Sequence, residues 1–182
     1  MALPDSLKKA IVQMTAQNKD KLLLRLVAKD PLLVDRLHFE LIEDSNTLPE
    51  RREAIRERIM KIAHMSQYSP GWIMMDMRSL SGDITHHVKI TKDKYGEIEL
   101  NVALLNTFFE HHAEQLRSYN SRSDKCALYI AKKTQTLLKL LGKLDEDYYV
   151  DFIEDMNQLL GYVHTMCPQP YARQLELPKA WP

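Results

Sequence analysis

The chain is poor in the residues that build turns, staples and membrane spans. Five glycines in 182 residues are too few for a turn-rich β fold, and 45% hydrophobic with 27% charged residues favours helices. Only Cys126 and Cys167 are present, without a Cys-x-x-Cys or Cys/His spacing. Neither a disulfide framework nor a structural zinc site is supported, and two free thiols are expected. No apolar run approaches the roughly 18 residues of a membrane span, and no basic region followed by an apolar stretch opens the chain. A cytoplasmic protein without membrane contact is therefore expected. Net charge is lacking too: 25 basic and 25 acidic side chains cancel, so no global field steers the chain toward nucleic acid or anionic lipid.

Catalytic signatures are also missing. Gly-x-Ser-x-Gly, glycine-rich phosphate loops, His-x-x-x-His and His-Glu-x-x-His do not occur, and neither cysteine has a neighbouring histidine. No catalytic residue is assigned and no cofactor is expected.

The prolines organise what is present. Pro4, Pro31, Pro49 and Pro70 stand at helix starts, where the missing N–H has no intrahelical partner. Asp30 reads as an N-cap, and Thr47-Leu48-Pro49-Glu50 has the form of a capping box. Pro168, Pro170, Pro178 and Pro182 crowd the end of the chain. They predict an extended tail over 168–182, laid on the body through Tyr171, Leu175 and Trp181 and following one helical domain over 1–167.

Apolar periodicity fills in the rest. Ile73, Met77, Leu80, Ile84, His87 and Thr91 form one helical seam. Two adjacent stripes from Ile98 to Leu116 predict a helix covered on more than one side, with Glu99, Asn106 and Glu110 on its water-facing edge. Ile130, Thr134, Leu137, Leu141 and Leu144 form a further seam, and Tyr149, Ile153, Met156, Leu160 and Val163 another, expected as an antiparallel pair in which Asp145 caps the second helix. Alternation of Val88 and Ile90 with Ile98, Leu100 and Val102 across Asp93-Lys94-Tyr95-Gly96 is also the pattern of a β-hairpin. The helical seams on either side favour helix. The expected fold is all-α, an irregular multi-helix bundle or short α-solenoid of about seven to eight helices.

Three constellations are candidate sites. His86, His87, His111 and His112 are potential metal ligands, although adjacent helical residues point about 100° apart and a helical site takes ligands three or four apart. A metal-binding bundle or metal-dependent hydrolase is the alternative they raise. Charge segregates in the C-terminal half: 122–143 carries six bases (Arg122, Lys125, Lys132, Lys133, Lys139, Lys143) and one acid (Asp124), and 144–157 six acids (Asp145, Glu146, Asp147, Asp151, Glu154, Asp155) and no base. Lys125, Lys132, Lys139 and Lys143 lie opposite the leucine seam, forming a stripe for an acidic protein partner or, as an alternative, a nucleic-acid backbone. The third is the densest polar cluster, Lys89, Lys92, Asp93, Lys94, Tyr95, Glu97 and Glu99 at a connection between helices, where binding residues tend to lie. A helical protein-interaction or scaffold module is the expected function.

Pro70-Gly71-Trp72-Ile73-Met74-Met75-Asp76-Met77-Arg78, then Leu80-Ser81-Gly82 and residues 88–101, resemble an uncharacterised family of all-helical bacterial proteins. That resemblance covers most of residues 4–160, implies an all-helical fold, and brings no catalytic residue. Lys21-Leu22-Leu23-Leu24-Arg25-Leu26-Val27 with Asp30-Pro31-Leu32-Leu33-Val34 resembles HEAT-type helical repeats over residues 19–43. It implies a short helix pair with Asp-Pro between, and no further copies recur at a fixed period.

Overall fold

The computed structural model describes residues 3–43 and 47–182. Every regular element among them is helical and none is a strand, so the fold is all-α. The chain divides into two compact units, Met1–Asn46 and Thr47–Pro182.

The first unit holds α1 (Asp5–Gln13), α2 (Ala16–Val27) and α3 (Pro31–Leu41). Thr15 caps α2 by accepting from the Asn18 N–H, and Asp30 caps α3 by accepting from the Leu33 N–H at 3.2 Å with Pro31 in the first turn. The helix pair with Asp-Pro between is present. None of these helices buries a residue, and Leu23, Leu24, Leu26 and Leu41 are exposed.

The second unit is a bundle built around one central helix. Its elements are α4 (Leu48–Ala63), α5 (Pro70–Thr91), α6 (Lys94–His111), α7 (Ala113–Leu116), α8 (Asp124–Leu141), α9 (Tyr149–Thr165) and α10 (Gln169–Gln174). Helix α6 packs against α4, α5, α8 and α9. It therefore buries Ile98, Leu100, Val102, Leu104, Leu105, Phe108 and Phe109 on several faces, which is why its apolar residues do not collapse onto one stripe. The water-facing edge expected for it is only partial. Asn106 is buried, and its side-chain N–H donates to the Asp155 carbonyl of α9 at 2.9 Å.

The seams on α5 and α8 face the core as expected: Ile73, Met77, Leu80, Ile84 and His87 are buried, as are Ile130, Thr134, Leu137 and Leu141. On α9, Met156, Leu160 and Val163 are buried while Ile153 is exposed. Asp145 does act as a cap, but of a 3-10 turn, Glu146–Tyr148, that leads into α9. Thr47 departs from the expected capping box: it has helical dihedrals and makes no side-chain capping bond to α4.

The stretch 88–102 is helical on both sides of a two-residue turn, which removes the hairpin alternative. Lys92 takes the left-handed conformation (φ 61°) and its N–H bonds to the Val88 carbonyl at 2.9 Å, closing α5, while Asp93 caps α6.

The tail departs from an extended path. Pro168 and Pro170 sit at and just inside the start of α10, where proline is compatible with a helix. The segment lies on the body as expected: Tyr171 within α10, and Leu175 and Trp181 beyond it, pack against the core. The Trp181 N–H donates to Asn157 Oδ1 at 2.7 Å, and its ring meets Tyr149 edge-on at 5.3 Å.

Candidate functional site

The turn between α5 and α6 is organised by one carboxylate. Asp93 stands at the N-cap of α6, where its Oδ1 accepts from the Gly96 N–H at 2.9 Å. Arg52 reaches across from α4 and grips both oxygens, Nε to Oδ2 and a terminal nitrogen to Oδ1, each at 2.7 Å. This is the planar two-bonded pairing that guanidinium and carboxylate form best. From the last turns of α5, His87 brings Nε2 within 3.2 Å of Oδ2. Three helices are thus tied at one side chain that retains only 4% of its exposure.

Burial by itself would raise the Asp93 pKa. Hydrogen bonds from His87, Arg52 and the Gly96 N–H, with the Arg52 charge, outweigh it and hold the carboxyl far below the usual range. An ionised Asp93 has only acceptors, so His87 donates to it from Nε2. The Arg52 pKa is raised, chiefly by its hydrogen bond to Asp93.

The network extends along α4 and α6. Arg52 also approaches Glu99 at 3.5 Å, Arg56 pairs with Glu99 and with Glu53, and the Arg52 guanidinium lies 5.0 Å from the Tyr95 ring centre. The Tyr95 hydroxyl donates to Asp151 of α9 at 3.2 Å while its ring packs on Phe152 and Tyr148. Burial raises the Tyr95 pKa, with the Asp151 charge adding to it. Outside the cluster, Pro49, Glu50, Arg52, Glu53 and Arg56 line a shallow depression of about 370 Å³.

Gly96 is required here by close approach. A Cβ at this position would stand 2.6 Å from Arg52 Nε and well inside contact distance of Asp93 Oδ2. Gly96→Ala should therefore destabilise the protein by about 2 kcal/mol despite alanine's better helix propensity, since displacing a buried ion pair outweighs a propensity gain of about 1 kcal/mol. The midpoint of urea unfolding measures it, and an unchanged or raised midpoint contradicts the account.

The sequence-predicted residues are distributed as follows. Lys89, Lys92 and Lys94 are exposed around the turn, and Tyr95 and Glu97 are half-buried. Lys125, Lys132 and Lys139 are exposed on α8, and Lys143 is exposed just beyond its end, so the stripe is a surface feature. Lys133, counted with that basic segment, instead turns inward, where burial lowers its pKa and Glu97 opposes the shift.

The four histidines do not converge. His86 and His87 belong to the end of α5 beside the start of α6, whereas His111 and His112 stand at the other end of α6. A helix of that length separates them by roughly 25 Å at 1.5 Å per residue. His111 lies against His64, ring centres 4.1 Å apart. His112 is buried with no hydrogen bond to Nε2, and burial lowers its pKa. Among the described residues no group of three or more His, Cys, Asp or Glu side chains is placed to hold a metal ion. Both cysteines are buried, and burial raises both thiol pKa values, that of Cys167 to about 12. Neither is poised as a nucleophile.

No family model, curated protein or solved structure matches this chain. Every functional argument therefore rests on its own residues. The sequence reading includes the α5–α6 turn but not Arg52 and Arg56, which lie some forty positions upstream of Asp93 and Glu99. The only available signal was basic residues on the α4 face that carries Ile55 and Ile59, a pattern any solvated helix shares. Among the described residues no helix is long and apolar enough to cross a membrane.

Proposed function

We propose that the chain is a helical protein-interaction module that docks another protein through an apolar surface at the α4–α5 connection. The carrying observation is the exposure of Met65, Tyr68, Trp72 and Met75, with Tyr68 at 93% and Trp72 at 56%. All four lie in one short stretch of chain. Trp72 and Met75 are three apart, so they are neighbours on the outer surface of α5, while Ile73 and Met77 fill the core behind them. Aromatic and methionine side chains grouped in this way are the composition of interface centres, since they bury much area with few rotors or adapt in shape to a partner. The rigid α5 beneath supplies preorganisation.

Charge supports the same reading. Lys89, Lys92 and Lys94 at the far end of α5 and Lys125, Lys132 and Lys139 on α8 give local positive fields on a chain of zero net charge. Such rim charges set orientation and encounter rate more than affinity.

Trp72→Ala and Met75→Ala should leave the helical signal and melting temperature nearly unchanged, because both positions are half exposed or more. Against a partner captured by cross-linking in native lysate, Trp72→Ala should weaken binding about thirtyfold, an interface hot-spot loss of about 2 kcal/mol. Charge reversal of Lys125, Lys132 and Lys139 should slow association and flatten its salt dependence. Capture of the same proteins at the same affinity by Trp72→Ala would remove the docking surface from consideration.

A further inference from the structure

The first unit has helices but no core. None of α1, α2 and α3 buries a residue, and helices of 9, 12 and 11 residues are too short to persist in water by propensity alone. Units this small hold together through disulfides, a structural metal, unusually dense packing or association. The first unit contains no cysteine, its described residues include no group placed to hold a metal ion, and every one of those residues stays at least partly exposed. Association is the remaining means.

The surface of the unit is apolar to match. Leu7 and Ile11 of α1 and Met14 at its C-cap recur four and three apart, as do Val34, Leu37 and Leu41 of α3 in the reverse order, the stripes that a packed helix turns inward. Here they are uncovered: Leu7, Val34 and Leu41 are exposed, Leu41 at 76%, and the others are only half-buried. On α2, Leu23, Leu24 and Leu26 are each more than half exposed. Half of the large apolar side chains exposed among the described residues belong to this quarter of the chain.

The charges select what covers them. Residues 5–29 carry Lys8, Lys9, Lys19, Lys21, Arg25 and Lys29 against Asp5 and Asp20, whereas residues 30–43 carry Asp30, Asp35, Glu40 and Glu43 against Arg36. The segment of α1 and α2 is therefore net positive and that of α3 net negative. Pairs inside a segment, such as Lys8 with Asp5 or Arg36 with Glu40, leave these net signs unchanged. An anionic lipid surface or a nucleic acid would attract the first segment and repel the second, and a protein face of one sign would also meet one of them unfavourably. A second copy related by a two-fold axis sets its α3 beside the α1–α2 segment of the first and receives the same contact in return, because an isologous interface repeats each pairing. Every charged segment then meets its opposite.

We propose that the first unit is a self-association module, in which two copies of the chain cover each other's apolar stripes with residues 5–29 of each beside residues 30–43 of the other. A standard interface engages about 20–30 residues a side, which a unit of this length supplies. The inference goes beyond the docking surface at Trp72, which lies in the second unit, and does not depend on it.

Sedimentation velocity of the full chain over roughly 1–100 μM, where an interface of modest affinity becomes populated, reads the equilibrium. Wild type should pass from monomer to dimer, and its helical signal should rise in step. Leu24→Asp combined with Leu41→Asp, both at exposed positions, should raise the dimer dissociation constant at least about a hundredfold, while Trp72→Ala should dimerise as wild type does. Charge exchange tests the arrangement. A variant with Lys19→Glu, Lys21→Glu and Lys29→Glu is acidic on both segments, one with Asp35→Lys and Glu40→Lys is basic on both, and all five positions are exposed. Each alone should associate at least about tenfold more weakly than wild type, and an equimolar mixture should recover the dimer, which also shows that both variants fold. A wild type that stays monomeric at the highest concentration would overturn the proposal, and its binding to vesicles of anionic phospholipid in a parallel co-sedimentation would assign the surface to lipid instead. A dimer unaffected by the Leu24 and Leu41 substitutions, or a mixture of charge variants that fails to associate, would overturn it as well.

Discussion

Asp93→Ala should cost this protein about 3 kcal/mol of stability, the low end for breaking a buried ion pair by removing one member. Arg52 keeps 21% of its side-chain exposure, so water can recover part of its hydration and the loss stays below the full penalty for a stranded charge. Two further losses add to it: the first turn of α6 gives up its cap to Gly96, and His87 gives up the acceptor of its Nε2–H. Urea unfolding of wild type and variant measures the difference. A change under about 1 kcal/mol would mean that the hub contributes no more than an exposed pair does.

The same carboxylate sets an acid limit. The Asp93 pKa is depressed in the folded protein, so its contribution is complete above the unfolded carboxylate value of about 3.9 and is lost as pH falls below that value toward the folded one. Wild type should therefore lose stability below about pH 4 more steeply than Asp93→Ala, and the two unfolding curves should converge there. Parallel curves would place the acid sensitivity elsewhere.

Phe108→Ala should be the most damaging single truncation in the core, at about 4 kcal/mol and a fall in melting temperature on the order of 10 °C. Phe108 is fully buried on α6, the helix that packs against α4, α5, α8 and α9. Walls contributed by four helices cannot all move inward to fill a void, so the cavity persists and its cost adds to the lost transfer energy. The neighbouring ring of His112, 5.5 Å away with a buried Nε2 that has no hydrogen bond, would be left beside that void. Calorimetry of the variant gives the result, and a loss under 2 kcal/mol would show that the bundle relaxes around α6.

Much of the fold was legible because helix formation is local. The seams on α5 and α8, the caps at Asp30 and Asp145 and the helix starts at Pro31, Pro49 and Pro70 depend on spacings of one to four residues, which a sequence displays directly. Where the reading fell short, the deciding contact was not local. The tail prolines predict extension, yet Pro168 and Pro170 open α10 because Tyr171 and Ala172 have a core to dock against. The expected wet edge of α6 includes Asn106, buried because α9 arrives from some fifty residues away to accept its hydrogen bond.

The candidate site divides in the same way. The exposed lysines at the α5–α6 turn and the stripe on α8 follow from polarity and helical period. Arg52 does not: its partner lies 41 positions further on, and nothing within one helical turn of either residue encodes the pairing. The sequence by itself determined that this chain makes helices, roughly where each begins, and which side of most of them avoids water, because those properties are settled by neighbours within a turn or two. Only the tertiary structure decided that α6 is the enclosed centre, that Asp93 becomes the knot joining α4, α5 and α6, and that His87 parts company with His112. Those outcomes depend on which helix lies beside which, and that choice is made by packing summed over the whole unit.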